Sequence, residues 1–335
     1  MQTISASQAL QKTDVLYVDT RSPSEFEQDR MPGAINLALL DDEERKQVGI
    51  TYKEDQERAF ELGMEYYSKK LPRLTQEIRS FDPKKEIIVY CWRGGMRSKA
   101  ITQLVDLMGY TAYQLEGGYK AYRAHVREYF EQNEPPFGFI VLYGQAGSGK
   151  TDLIKELPAS IDLEGYAQHR SSVFGAIGLT PNTQKRFESL LYERIRELKD
   201  ETYVFVEGES RKIGDLFVPD LFFKKMRRGI GIYVRSSIEK RAERIVRDYF
   251  THGEDERIKK IILSLKESLT RKRAEELCGW VDKGQYHDVA RVLLEEYYDE
   301  RYSHLLDSID YSHTIDADDA DAKEKLEGIR KKHSG

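Results

Sequence analysis

The stretch YCWRGGMRS, Tyr90 to Ser98, decides how the N-terminal part of this chain is built. It closes the apolar run IIVYC (87–91), whose length and β-branched content predict a buried strand. It opens MRSKAITQLVDLMG (96–109), whose apolar spacing predicts a helix that ends at Gly109. Cys91 therefore sits at the C-terminal edge of a strand, and Gly94-Gly95 permit the tight turn into the helix. Successive N–H groups in such a turn point at one spot beside a helix N-terminus, which makes an anion nest. A thiol in that setting, near arginine, favours its thiolate form and becomes a nucleophile. The spacing from Cys91 to Arg97 is C-x5-R, so Arg97 is placed to grip two oxygens of an anion. Arg93, Gly94, Gly95 and Ser98 complete the loop.

Further strands and helices alternate around this loop. VLYVD (15–19) and TAYQLEGG (111–118) contain strands, whereas EERKQVGI (43–50) and onward, and YKAYRAHVREYF (119–130), carry helical patterns. Such alternation predicts a parallel sheet. The paired prolines of EQNEPPFG (131–138) break the pattern. A second set then begins with the strand FGFIVLYG (137–144) and the helix TDLIKEL (151–157). YVFVEG (203–208) and GIGIYV (229–234) are further strands, and 237–305 is charged and helical. The expectation is two α/β domains, 1–130 and 138–325, joined by a linker at 131–137, with the helical region in the second.

The size, 335 residues, suits two domains, and the 33% charged and 39% hydrophobic content is that of a globular protein. No apolar run approaches the roughly 18 residues of a membrane span, and the start of the chain does not read as a signal peptide. Two cysteines, Cys91 and Cys278, make no disulfide framework, which points to the reducing cytoplasm. Cys278 reads as core. The net charge of −5 conceals an uneven distribution: residues 221–275 carry 16 Lys/Arg against 8 Asp/Glu. Its basic pieces are KKMRRG (224–229), KRAERIVR (240–247) and RKR (271–273). They are either a face for a phosphate backbone or the solvated side of amphipathic helices.

GQAGSGKT (144–151) fits the phosphate-loop pattern, with a strand before it and a helix after. Its Gly144, Gly147, Ser148, Gly149, Lys150 and Thr151 form a diphosphate site. Backbone N–H groups cradle the anion, Lys150 neutralises it, and Thr151 is the natural ligand of Mg²⁺. Glu207, at the end of a strand, is the expected acid of such a site, either as a Mg²⁺ ligand or as a helix-start carboxylate. No adenine-reading pattern accompanies the loop, and no tightly bound cofactor is expected.

The N-terminal half resembles the rhodanese family. Asp19-Thr20-Arg21, Glu25-Phe26 and Arg30-Met31-Pro32-Gly33-Ala34-Ile35-Asn36 precede the cysteine loop in the order of that family's pattern, with Arg30 where many members have His. The loop is one residue longer than sulfur-transferring members typically have and resembles that of rhodanese-fold phosphatases. A rhodanese-like domain followed by a phosphate-loop domain, together with DLEGYAQHRSSVFG (162–175) and VEGESRKIG (206–214), closely resembles the bacterial tRNA 2-selenouridine synthase family. This resemblance spans nearly the whole chain. It implies a rhodanese-like parallel-sheet domain and a phosphate-loop NTPase-like α/β domain. It implies conversion of wobble 2-thiouridine in tRNA to 2-selenouridine with selenophosphate as donor, by way of S-geranylation from geranyl diphosphate. Selenophosphate would meet Cys91, which either carries selenium or orients the donor, and geranyl diphosphate would meet Lys150. Within the family motifs Asp162, His169, Arg170, Glu207 and Arg211 become candidate substrate contacts. Tyrosines such as Tyr233, Tyr249 and Tyr286 are candidates to stack on a base. The competing readings are a rhodanese-type sulfurtransferase or phosphatase fused to a phosphate-loop kinase or ATPase, and a non-catalytic sensor.

Overall fold

The computed structural model describes residues 1–266 and 268–334, with the backbone alone for 302–305. The chain divides into two compact units. One is Met1–Tyr129 with Glu188–Leu190; the other is Phe130–Phe187 with Leu191–Gly335.

The first unit is built on five parallel strands: β1 (Gln2–Ile4), β2 (Val15–Asp19), β3 (Ile35–Asn36), β4 (Glu86–Tyr90) and β5 (Ala112–Leu115), in the order β1-β5-β4-β2-β3. β4 lies at the centre, and Ile87 to Tyr90 are completely buried, as the apolar run requires of a strand covered on both faces. The helices are α1 (Ala6–Gln11), α2 (Pro23–Gln28), α3 (Asp42–Glu54), α4 (Gln56–Ile78), α5 (Met96–Leu107) and α6 (Gly118–Gln132). Asp41 starts α3 with a capping box to Glu44, and Asp55 caps α4 through the Arg58 N–H. Because α6 runs to Gln132, the first two residues of the expected linker at 131–137 are helical. β1 and β3 are too short for a periodic signal and are absent from the sequence-based expectation.

The second unit has strands β6 (Gly138–Tyr143), β7 (Ser160–Ile161), β8 (Tyr203–Glu207), a small antiparallel pair β9 (Lys212–Ile213) and β10 (Leu216–Phe217), then β11 (Ile230–Arg235) and β12 (Tyr311–Asp316). The main sheet is parallel, in the order β12-β11-β6-β8-β7. β12, sequence YSHTID, was not expected: as an edge strand with three successive exposed residues it lacks the apolar content of β6 or β8. The helices are α7 (Lys150–Glu156), α8 (Leu163–Ala167), α9 (Gln184–Glu197), α10 (Asp220–Arg227), α11 (Ile238–Ile245), α12 (Asp255–Ser264), α13 (Arg271–Asp282), α14 (Tyr286–Leu293), α15 (Asp299–Asp307) and α16 (Ala322–Ser334). α11 and α14 each continue into a π-turn, Val246–Phe250 and Leu294–Tyr298. Ile245, Ile258, Leu277, Val289 and Leu294 share the core of this helical region, and half-buried Cys278 packs against it. Among the described residues no helix is long and apolar enough to cross a membrane.

The cysteine loop and the turn after β5 approach each other closely. Gly118 has φ +57°, and a Cβ on it would lie 2.3 Å from the Cys91 carbonyl oxygen and 2.5 Å from the Gly94 nitrogen. Behind it the Tyr119 N–H donates to that same Cys91 carbonyl at 2.8 Å. Gly118→Ala is therefore expected to cost about 2 kcal/mol or more, from left-handed strain and the clash together. Urea denaturation of the two proteins checks this; an unchanged midpoint would mean that the turn does not brace the loop.

Candidate active site

Cys91 is the first residue beyond β4, and Gly95 is the N-cap of α5. The loop between them bends at Gly94, whose φ is +68°. Cys91 Sγ accepts the Gly95 N–H at 3.2 Å and lies 3.2 Å from Ser98 Oγ. Ser98 Oγ also contacts the Gly95 carbonyl at 3.1 Å and accepts from Gln114 Nε2 at 2.8 Å. Gln114, on β5, donates as well to the Gly94 carbonyl at 2.8 Å. The thiol is thus held at a helix N-terminus by polar groups and is almost fully buried, while Arg93 and Gly95 are exposed.

Arg97 does not stand alone. Its Nη1 donates to Glu25 Oε2 at 2.9 Å, which restrains the guanidinium. Burial pushes the Glu25 carboxyl up, but Arg97, the Ser22 N–H and Arg45 outweigh it and hold the group below the usual carboxylate range. Glu25 was visible as part of the rhodanese-like pattern; its partnership with Arg97 was not. Asp19 and Arg21 of the same pattern form a fully buried ion pair, with Arg21 3.9 Å from the Tyr119 ring centroid, so they hold the fold together beneath the loop.

In the second unit the phosphate loop joins β6 to α7, with Gly147 and Gly149 at φ +71° and +92°. Lys150 Nζ donates to the Gly144 and Gln145 carbonyls at 2.9 and 3.2 Å. Ser148 Oγ is buried without a hydrogen-bond partner. Thr151 Oγ1 donates to Glu207 Oε1 at 2.5 Å and lies 3.3 Å from Glu164 Oε2. Glu207 ends β8, is completely buried, and its Oε2 has no partner. Burial first, then the charges of Glu209 and Asp162, push its carboxyl up to about 8. Burial and the neighbouring Glu207 and Glu209 push Glu164 well up too.

A cavity of about 250 Å³ opens over this loop. Beside Lys150 and Thr151 it is lined by Lys155, Arg170, Arg244 and Arg247. Of the candidate contacts, Arg170 reaches this cavity, 5.3 Å from the Tyr249 ring centroid. Asp162 instead caps α8 through the Gly165 N–H at 2.7 Å. The His169 ring is packed against Gly175 and Gly214, and burial lowers its pKa. Arg211 pairs with Asp220 at 3.3 Å on the surface. Glu164, Glu209 and Lys155 were missed, because a carboxylate or lysine in a quoted motif carries no spacing signal of its own.

Several residues of the basic stretches make contacts within the fold. Arg241 is buried, donates to the Ala146 carbonyl at 2.9 Å, and forms a fork with Asp299. Lys224, Arg228, Arg235, Lys240, Arg244 and Arg247 all have carboxylate partners. Tyr286 donates to Asp255 at 2.8 Å, and Tyr233 packs on Tyr311.

Comparison with known proteins matches these two units one after the other. A rhodanese-like domain model matches residues 4–125, and a tRNA 2-selenouridine synthase AAA domain model matches residues 137–277. A tRNA 2-selenouridine synthase of Cupriavidus necator is 32% identical over 321 residues, covering 86% of this chain and 88% of that one. One from Cupriavidus pinatubonensis is 38% identical over 238 residues, covering 69% of this chain and 65% of that one. A solved N-terminal domain of a putative ATP/GTP binding protein from Clostridium difficile 630 is 38% identical, with a TM-score of 0.36, and covers 37% of this chain and 98% of that one. With relatives above 30% identity aligned over most of its length, the chain belongs to the tRNA 2-selenouridine synthase family.

Proposed function

We propose that this chain is a tRNA-modifying transferase that exchanges the sulfur of wobble 2-thiouridine for selenium after geranylating that sulfur. The observation that carries this reading is the presence of two anion cradles of different chemistry, one built around a thiol and an arginine and one around a lysine. In the first step the 2-thio sulfur attacks C1 of geranyl diphosphate. The S–C bond forms, the C–O bond breaks, diphosphate leaves, and the N3 proton passes to solvent. Lys150 and the N–H groups of the phosphate loop offset the charge that develops on the leaving group. In the second step the selenium of selenophosphate attacks C2, and geranyl thiolate leaves and takes a proton. Water then cleaves the Se–P bond to release phosphate. The Cys91 loop, with Arg97, is suited to hold the tetrahedral selenophosphate.

Thr151 and the ionised form of Glu207 fit Mg²⁺, which typically takes one or two carboxylates with substrate phosphates and water. The ion would supply further charge compensation at the diphosphate.

Incubation with 2-thiouridine tRNA, geranyl diphosphate and selenophosphate, followed by mass spectrometry of the nucleosides, tests the whole reading. Absence of both modified nucleosides with folded protein would refute it. Lys150→Ala is expected to lower geranylation by roughly 100-fold or more. Cys91→Ser is expected to spare geranylation and block selenation; the reverse pattern would exchange the roles of the two cradles.

The pH dependence of stability tests the buried carboxyl. Its folded value of about 8 lies above the ordinary 4.5, so its contribution is complete below 4.5 and is lost as pH rises through 8. In metal-free buffer the melting temperature is expected to fall between about pH 4.5 and about pH 8 and to level off above that, and Glu207→Gln to remove much of that fall. Parallel curves for both proteins would show that Glu207 titrates normally.

A further inference from the structure

The two helices α3 and α4 do something the anion chemistry does not require. With the cysteine loop they enclose a groove of about 600 Å³, lined largely by apolar side chains, among them Tyr52, Phe60, Met64, Tyr67, Trp92 and Met96. Most of these are unusually exposed for their type: Tyr52 56%, Phe60 51%, Met64 44% and Met96 57%. Exposed apolar residues gathered on one concave surface mark a binding site rather than scattered surface. Cys91, Arg93, Gly95 and Arg97 form one end of the same groove. The groove is therefore continuous with the cysteine loop: cationic and polar where the anion would react, apolar beyond it.

We infer that this groove holds the terpenoid chain of the S-prenylated nucleoside while selenium replaces its sulfur. The inference rests on the proposed reaction, in which the displaced group is a branched hydrocarbon thiol of about ten carbons. That reaction requires a hydrocarbon chain, separated from the attacked carbon by a single sulfur atom, to lie next to the selenophosphate. A volume of about 600 Å³ is within the usual range for ligand pockets and has room for it. Methionines adapt to the bends of such a chain, and burying each methylene improves affinity roughly fourfold. The groove also gives selectivity: a nucleoside whose sulfur is still bare has nothing to place there, so the prenylated form is the one drawn to the cysteine loop.

The test uses the full chain and two anticodon stem-loop RNAs that differ only in the group on the wobble sulfur, geranyl or methyl. Fluorescence anisotropy should show at least tenfold tighter binding of the geranyl RNA. The double variant Phe60→Ser, Met64→Ser should erase that preference and leave the affinity for the methyl RNA unchanged. Both residues are half exposed, so the variant is expected to fold; circular dichroism verifies this, and Tyr52→Ser on α3 supplies an independent arm. No preference in the unmodified chain, or a preference that survives the variants, would overturn the assignment. Equal loss for both RNAs would also overturn it, because the groove would then stack the base. A shift in oligomeric state on mutation would do so too, by assigning the groove to a second copy. Conversion of the geranyl RNA by selenophosphate, measured separately, reports on the proposed reaction itself: failure there sinks the reaction, whereas conversion without geranyl preference sinks the groove alone.

Discussion

Both anion loops depend on backbone passing closer to backbone than any side chain allows. Gly118 lies against the Cys91 carbonyl, and Gly144 lies so close to Val234 that a Cβ would sit 2.3 Å from its carbonyl oxygen. Each contact fixes a loop between a buried parallel strand and the N-terminus of a helix, where N–H groups have no partner within the helix. The strands supply rigidity, because Ile87–Tyr90 and Phe139–Leu142 are buried on both faces. The loops can then hold N–H groups open toward a ligand. Rigid walls and a helix N-terminus are the features that an anion cradle requires.

The two loops differ in how their charges are balanced. At the cysteine loop one carboxylate, Glu25, meets the guanidinium groups of Arg97 and Arg45, which hold its pKa down. At the phosphate loop Glu164, Glu207 and Glu209 crowd together, and burial raises the pKa of each. Cations from α7 and α11, the π-turn after it, and the segment following α8 surround the same cavity. A field assembled from several elements in this way leaves no compact mark in the sequence.

That contrast explains which features the sequence made legible. The cysteine loop and phosphate loop were readable because each occupies one uninterrupted stretch with glycines at fixed offsets. β4, β6 and β8 were readable because a strand buried on both faces must be apolar throughout. β12 was not, because an edge strand satisfies its backbone with one neighbour and needs no such run. The Arg97–Glu25 pair joins residues 72 positions apart, which no local pattern encodes. The excess of Lys/Arg in 221–275 has a structural part: Arg241 donates to the Ala146 carbonyl of the phosphate loop, and Lys240, Arg244 and Arg247 pair with carboxylates. The α3–α4 groove escaped notice for another reason. An apolar residue on an amphipathic helix looks the same whether it faces a core or a cavity.

The position of Lys150 has its own consequence. Its ammonium donates to the Gly144 and Gln145 carbonyls, which are neutral dipoles, so its positive charge is left uncompensated by them. A guest must offer enough negative charge to outcompete both carbonyls and swing the lysine outward. A singly charged ester gains little from that exchange, whereas a pyrophosphate-like group, presenting several oxygens at once, recovers what is lost and more. By this geometry Lys150 would favour highly charged guests over singly charged ones.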